Sequence, residues 1–287
     1  MKKILSSLAL FYAFCFLSIS TAFAEGVDFE TGVVTASGMG ARPAVSVNTA
    51  QAVAMAKRAA ELDAYRHLAE YINGVNLDSE TTVQNFANTN DVIKTKVSAL
   101  IKGARIIEEH ELTGGGYRVI MQVPIYGAKN SLASAVIQKQ NFVKEPIPAP
   151  LPHITPSIPQ DMPKTSERIP SVPENSKAIG GYTGLIVDCT GLGLDTAMSP
   201  VIKDAEGRKI YGHKNLDIDH IIANGMVSYS RGMTNIARAG AKPLVVKAIK
   251  VENHSINPVI SLEDANRALI ENEVSHFLEA TNVVFVR

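Results

Sequence analysis

Residues 49–72 read TAQAVAMAKRAAELDAYRHLAEYI, one long alanine-rich helical pattern. Val53, Ala56, Ala60, Ala64, Leu68 and Ile72 recur at steps of three and four, which places them on one stripe of a helix. Lys57, Arg58, Glu61, Arg66 and Glu70 fall mostly elsewhere. The small residues of the stripe let a helix lie close to a sheet, because no large side chain separates the two backbones. Thr49 is the predicted N-cap, and Asn73-Gly74 ends the helix with residues that tolerate positive φ. The flanking segments are therefore expected to be strands shaped to receive it.

Upstream, residues 32–38 (GVVTASG) read as a strand, with Gly38, Gly40 and Pro43 forming a loop before the helix. Downstream, the alternating, β-rich run 75–83 predicts a second strand. Residues 88–100 predict a shorter helix, with Asp91 at the positive end of its dipole. Strands over 101–112 and 117–124 flank the turn Thr113-Gly114-Gly115-Gly116 as a hairpin. Three glycines could cradle a phosphate only if a helix followed them, and a strand follows here. A short helix over 131–139 closes a compact α+β unit.

Within this unit Ala59, Ala60, Asp63-Ala64-Tyr65-Arg66, Leu68-Ala69-Glu70, Ile72 and Gly74 precede Ser79-Glu80-Thr81-Thr82-Val83 and then Ile101-Lys102-Gly103-Ala104. The pattern over about residues 32–127 resembles the LPP-type twenty-kilodalton surface lipoprotein domain. It is also similar to the N-terminal domain of flagellar assembly protein T and to the outer-membrane flagellar protein P. The resemblance implies an envelope protein that acts by assembly or interaction, and it names no active site. The lipid-bearing cysteine of the short lipoproteins is missing, and a second domain follows that they lack.

The chain has 287 residues, enough for one large or two modest domains with real cores. Lys+Arg and Asp+Glu balance at 28 each, so no net field draws the chain to nucleic acid or anionic lipid. Residues 1–24 read as a signal peptide: Lys2 and Lys3, an apolar run over 4–19, then Thr21-Ala22-Phe23-Ala24 with cleavage expected before Glu25. Cys15 lies within the apolar run, away from a lipoprotein cleavage site. The mature chain is expected to be soluble and exported, with Cys189 as its single cysteine and hence no intramolecular disulfide. Cys189 ends an apolar run and reads as a buried small hydrophobe.

Residues 25–143 thus form the predicted LPP-type domain and residues 144–178 a proline-rich linker. Nine prolines recur in it from Pro146 to Pro173, as in a semi-rigid polyproline II spacer. Residues 179–287 form the predicted C-terminal α+β domain. It opens with a buried strand over 183–189, then Thr190-Gly191-Leu192-Gly193-Leu194-Asp195. The strand-then-GxG order invites a dinucleotide reading, but Thr196 stands at the third glycine and no helix follows to receive a pyrophosphate. Residues 200–212 predict a hairpin, 226–229 and 241–251 strands, and 282–286 a final strand. Ser261-Leu262-Glu263-Asp264 matches a capping box for a helix to residue 278, with Leu262, Ala265, Ala268, Leu269, Val274 and Phe277 apolar. Asp217, Asp219 and His220 cluster without a metal-ligand spacing and fit a helix start or a solvated loop.

The predicted fold class is α+β: two small domains, each a mostly antiparallel sheet packed by helices, joined by the proline-rich linker. The predicted function is that of a non-enzymatic exported envelope protein acting by assembly or protein interaction, with a flagellar association implied by the resemblance. Its expected partners are envelope or flagellar basal-body proteins or further copies of itself, with no nucleic acid and at most peripheral membrane contact. No cofactor or metal is expected. The periplasm is the expected location, with association to the outer membrane. The alternative is a periplasmic binding module for a small ligand or glycan, whose pocket would gather Asp188, Asp195 and Tyr211. A hydrolase built on Asp217, Asp219 or His220 is the least favoured reading, since it needs those groups to converge in a cleft.

Overall fold

A computed structural model describes residues 24–45, 48–139, 143–151 and 177–287. The predicted signal peptide and most of the proline-rich linker lie outside the described residues. The first unit holds strands β1 (Gly26–Asp28), β2 (Val33–Gly40), β3 (Arg105–Glu111) and β4 (Tyr117–Pro124) in the order β1-β2-β4-β3. Every pairing in this sheet is antiparallel. Helices α1 (Thr49–Asn73), α2 (Val83–Thr89), α3 (Asp91–Lys102) and α4 (Leu132–Val136) complete the unit.

Helix α1 buries Ala52, Ala56, Ala60, Ala64, Leu68 and Ile72. Ala52 turns inward in place of Val53, the smaller of two residues that fit the stripe. The close approach that the alanines permit is completed by glycines on the strand. A Cβ at Gly38 would fall on the Ala60 carbonyl and the Ala64 amide, and one at Gly40 on the Ala56 carbonyl. Both glycines belong to β2, so the loop expected there starts later. The Asp63 carboxylate accepts the Met39 amide at 3.0 Å and fixes helix to strand.

Local chemistry explains the other departures. Asn48, one residue before Thr49, caps α1 by accepting the Gln51 amide, and Gly74 ends it at φ −78°, in the right-handed region. The strand expected over 75–83 is reduced to a single bridge, Asn76 to Thr82. The Asp78 side chain accepts the amides of Glu80 and Thr81 at 2.8 and 2.9 Å, and this local turn defeats the β-propensity of the run. Asn90 accepts the Val92 and Ile93 amides, so the helix expected over 88–100 divides into the end of α2 and all of α3.

The second unit is built on a seven-stranded sheet. Its strands are β5 (Leu185–Asp188), β6 (Ile202–Asp204), β7 (Lys209–Tyr211), β8 (Ser228–Ser230), β9 (Leu244–Glu252), β10 (Asn257–Ile260) and β11 (Val283–Val286). Their order is β7-β6-β10-β9-β5-β11-β8. The α+β, two-domain class holds, but this sheet is mixed and not mostly antiparallel. β10/β6, β5/β9, β11/β5 and β11/β8 are parallel, whereas β10/β9 and β6/β7 are antiparallel. The parallel strands β5 and β11 are continuous apolar runs, Leu-Ile-Val and Val-Val-Phe-Val, as expected for strands covered on both faces. Helices α5 (Ile218–Asn224) and α6 (Leu262–Ser275) supply the connections that parallel strands require. Ser261 caps α6 by accepting the Asp264 amide, and Ile270 joins Ala265, Ala268 and Leu269 on its buried side while Val274 is exposed.

The units share one hydrophobic core. Phe29 packs edge-on against Tyr229 at 5.5 Å, and Tyr229 against Phe285 at 5.8 Å. The Met198 and Ser199 amides donate to the Asn76 and Leu77 carbonyls at 3.0 and 2.8 Å, and the Gly127 amide to the Ile222 carbonyl at 2.9 Å. The described start of the linker is no free spacer: the Glu145 amide donates to the Lys214 carbonyl at 2.7 Å.

Candidate functional site

Of the three residues offered as a ligand site, Tyr211 stands apart from the two aspartates. Asp188 ends β5, where its carboxylate accepts the Thr190 amide at 2.9 Å. Hydrogen bonds from the Thr190 side chain and amide hold its carboxyl below the usual range. Asp195 is exposed and accepts the neighbouring Thr196 amide at 2.7 Å. Tyr211 lies on edge strand β7, separated from β5 by β6, β10 and β9. It is fully buried, its hydroxyl donates to the Met226 carbonyl at 2.7 Å, and burial pushes the phenol far above its ordinary value. Tyr211 is a core residue whose one polar atom is already satisfied.

The acidic cluster resolves into local structure. Asp217 caps α5 by accepting the His220 amide at 2.8 Å, Asp219 pairs with Lys139, and His220 Nε2 lies 2.9 Å from Thr281 Oγ1. Among the described residues no group of three or more His, Cys, Asp or Glu side chains is placed to hold a metal ion. Gly191 and Gly193 take positive φ of 80° and 68°, which makes the GxG stretch a turn. Cys189 is buried, and burial, then the Asp188 charge, pushes its thiol up to about 12.

Sequence reasoning did not find Arg238. Its Nε donates to Thr281 O (2.6 Å), Nη1 to Asn224 O (2.8 Å) and Ser228 Oγ (3.3 Å), and Nη2 to Gly225 O (2.6 Å) and Thr281 Oγ1 (2.7 Å). All five N–H donors are thereby used on neutral oxygens, and two of those close the C-terminal end of α5. Desolvation lowers the Arg238 pKa. The Tyr126 ring from the first unit packs beside it on Gly225, and its buried hydroxyl has no hydrogen-bond partner among the described residues. No motif marks this cluster, because its acceptors are main-chain atoms brought together only by folding.

Two surfaces of the first unit and its edge are further candidates. The first is an open groove of about 640 Å³ between α3, the end of α4 and α5, lined by Val92, Ile93, Lys96, Ile137 and Ile222 among others. The second is the face of the first sheet turned away from α1. Register places Thr35, Ser37 and Met39 on it beside Gln122, Ile120 and Arg118, followed by Arg105, Glu108 and His110 of edge strand β3. Gln122 donates to Thr35 Oγ1 at 3.3 Å, and His110 Nδ1 lies 3.2 Å from Glu108. Met39 is 60% exposed, whereas Thr35, Ser37 and Ile120 on the same face are buried. A charged, bulged edge strand resists indiscriminate pairing.

Residues 42–124 match the family model described as LPP20 lipoprotein. Residues 184–287 match the model described as Treponema pallidum Tp0624, second domain. A search of the curated proteins found no match. The LPP20 match fits an exported, envelope-associated protein. Among the described residues no helix is long and apolar enough to cross a membrane.

Proposed function

We propose, from the premise that residues 42–124 carry an LPP20-type domain, that the chain is a non-enzymatic envelope protein that works by binding other proteins. The observation that carries this reading is the exposed edge strand β3 of the first sheet, with Arg105 and His110 outward. It is charged, and its sheet is backed by the close α1 contact. Tyr211, by contrast, is buried and satisfied away from Asp188 and Asp195, which weighs against a small-molecule site built from all three. The resemblance to the flagellar assembly and flagellar outer-membrane proteins makes the flagellar base the first class of partner to test, with self-assembly the second.

The test is brief crosslinking of the tagged mature protein in its native envelope, followed by capture and mass spectrometry. The wild type is compared with a variant carrying Arg105→Glu and His110→Glu. Basal-body or outer-membrane components, or a large homo-oligomer, should be recovered with the wild type and lost with the variant. A monomer free of partners would overturn the assembly reading in favour of ligand binding in the groove between α3 and α5.

A further inference from the structure

The proline-rich segment offers a more specific interaction. Residues 145–151 lie against the second unit and are held almost entirely through their main chain. The Glu145 amide donates to the Lys214 carbonyl at 2.7 Å. Asn215 Nδ2 donates to the Pro146 carbonyl at 2.9 Å, and Arg208 Nη1 to the Ala149 carbonyl at 3.0 Å. Asn266 on α6 grips Leu151 from both sides: its Oδ1 accepts the Leu151 amide at 2.6 Å, and its Nδ2 donates to the Leu151 carbonyl at 3.1 Å. The one side-chain ion pair, Lys214 with Glu145, is exposed on both partners.

The burial pattern has the period of an extended proline helix. Glu145, Pro146 and Ala149 are exposed, whereas Ile147, Pro148, Pro150 and Leu151 are half-buried. Ile147 with Pro150 and Pro148 with Leu151 are three residues apart, one turn of polyproline II. Ile147 packs on the hydrophobic core. Proline leaves its segment's carbonyls without an amide partner of its own, so side-chain donors such as Asn215 and Arg208 can take them. Between this segment and the C-terminal half of α6 a cleft of about 420 Å³ stays open, lined by Asn272, Glu273 and His276.

We propose that this groove of the second unit is a binding site for extended, proline-rich peptide, with residues 145–151 as its ligand in cis. Main-chain recognition does not depend on covalent connection, so an equivalent segment supplied in trans fits the same anchors. The tether favours the internal ligand, because a short connection sets an effective concentration on the order of millimolar. This goes beyond the interaction reading above, which rests on the opposite unit and stands or fails separately.

The test uses the mature chain and a labelled peptide, KEPIPAPL, corresponding to residues 144–151. Fluorescence anisotropy compares the intact chain with a variant whose residues 145–151 are replaced by glycine and serine. Binding should be at least about tenfold tighter to the replaced chain, as expected once a millimolar internal competitor is gone. It should fall again on adding Asn266→Ala, and a peptide with its prolines changed to alanine should bind poorly. Failure of the folded, replaced chain to bind, or equal binding of the alanine peptide, overturns the proposal. A second measurement leaves the segment in place. In Asn215→Ala/Asn266→Ala, amide exchange at Glu145 and Leu151 should accelerate at least about tenfold, the effect of losing about 1.4 kcal/mol of protection. Unchanged exchange there equally overturns it.

Discussion

Asp28 shows how one carboxylate couples the junction to pH. Burial raises its pKa, but the Thr31 hydroxyl and the Glu30 and Thr31 amides outweigh this, with Arg231 of the second unit adding attraction, so the carboxyl lies below its usual range. A depressed folded pKa contributes stability that is present above the unfolded value near 3.8 and is lost as pH falls through the folded one. Asp28→Asn should therefore destabilise the protein at pH 7, with the difference from wild type shrinking toward pH 3 in urea titrations. A difference independent of pH would show that the carboxylate charge is irrelevant. Cys189 is the opposite case, held neutral by burial. It should resist a thiol reagent at pH 8 until the chain is unfolded, and rapid labelling of the native protein would contradict its placement. The burial of Cys189 was legible in the apolar run before it. The role of Tyr211 was not, because its hydroxyl partner is a carbonyl fifteen residues away that no pattern announces.

At the scale of elements, the α1–β2 contact depends on the absence of side chains from both partners. Gly38→Ala would set a methyl group against helix backbone, which cannot rotate away, and should cost about 3 kcal/mol, the upper part of the overpacking range. Ala60→Leu and Ala64→Leu should cost about 1–3 kcal/mol each. Thermal melts of the single and double variants check this, and an unchanged midpoint would remove the close contact. The helix was legible because its period runs through twenty-four residues. The glycines were misread as loop because sequence alone does not separate a glycine that turns from one that admits a neighbour. Residues 75–83 misled for a different reason: a single Asp78 turn outweighed a run of β-formers. Strand β10, only four residues and containing Pro258, was missed entirely. The parallel pairing of β5 and β11 was written in their unbroken apolar runs but needs the crossover helices to be recognised.

For the whole molecule, the shared core predicts one cooperative unfolding transition. Far-ultraviolet circular dichroism, reporting both units, and near-ultraviolet signals from the junction tyrosines should coincide. Gly225→Val tests the coupling: its Cβ would meet the Tyr126 ring at 2.6 Å, at a backbone φ of 74°. It should lower the stability of both units together by roughly 2 kcal/mol, from overpacking and left-handed strain combined. Two separated transitions would contradict a common core. None of this junction was legible in the sequence, since Asn76 meets Met198 and Phe29 meets Tyr229 only after both sheets exist. The placement of β11 between β5 and β8 also governs the order in which the chain can mature. A polypeptide threaded head-first across a membrane delivers residues 185–188 and 228–230 well before 283–286. Until that last segment arrives, nothing joins β8 to β5 at that end of the second sheet. Closure of that edge of the sheet therefore waits for residues 283–286, however early β5 and β8 are made.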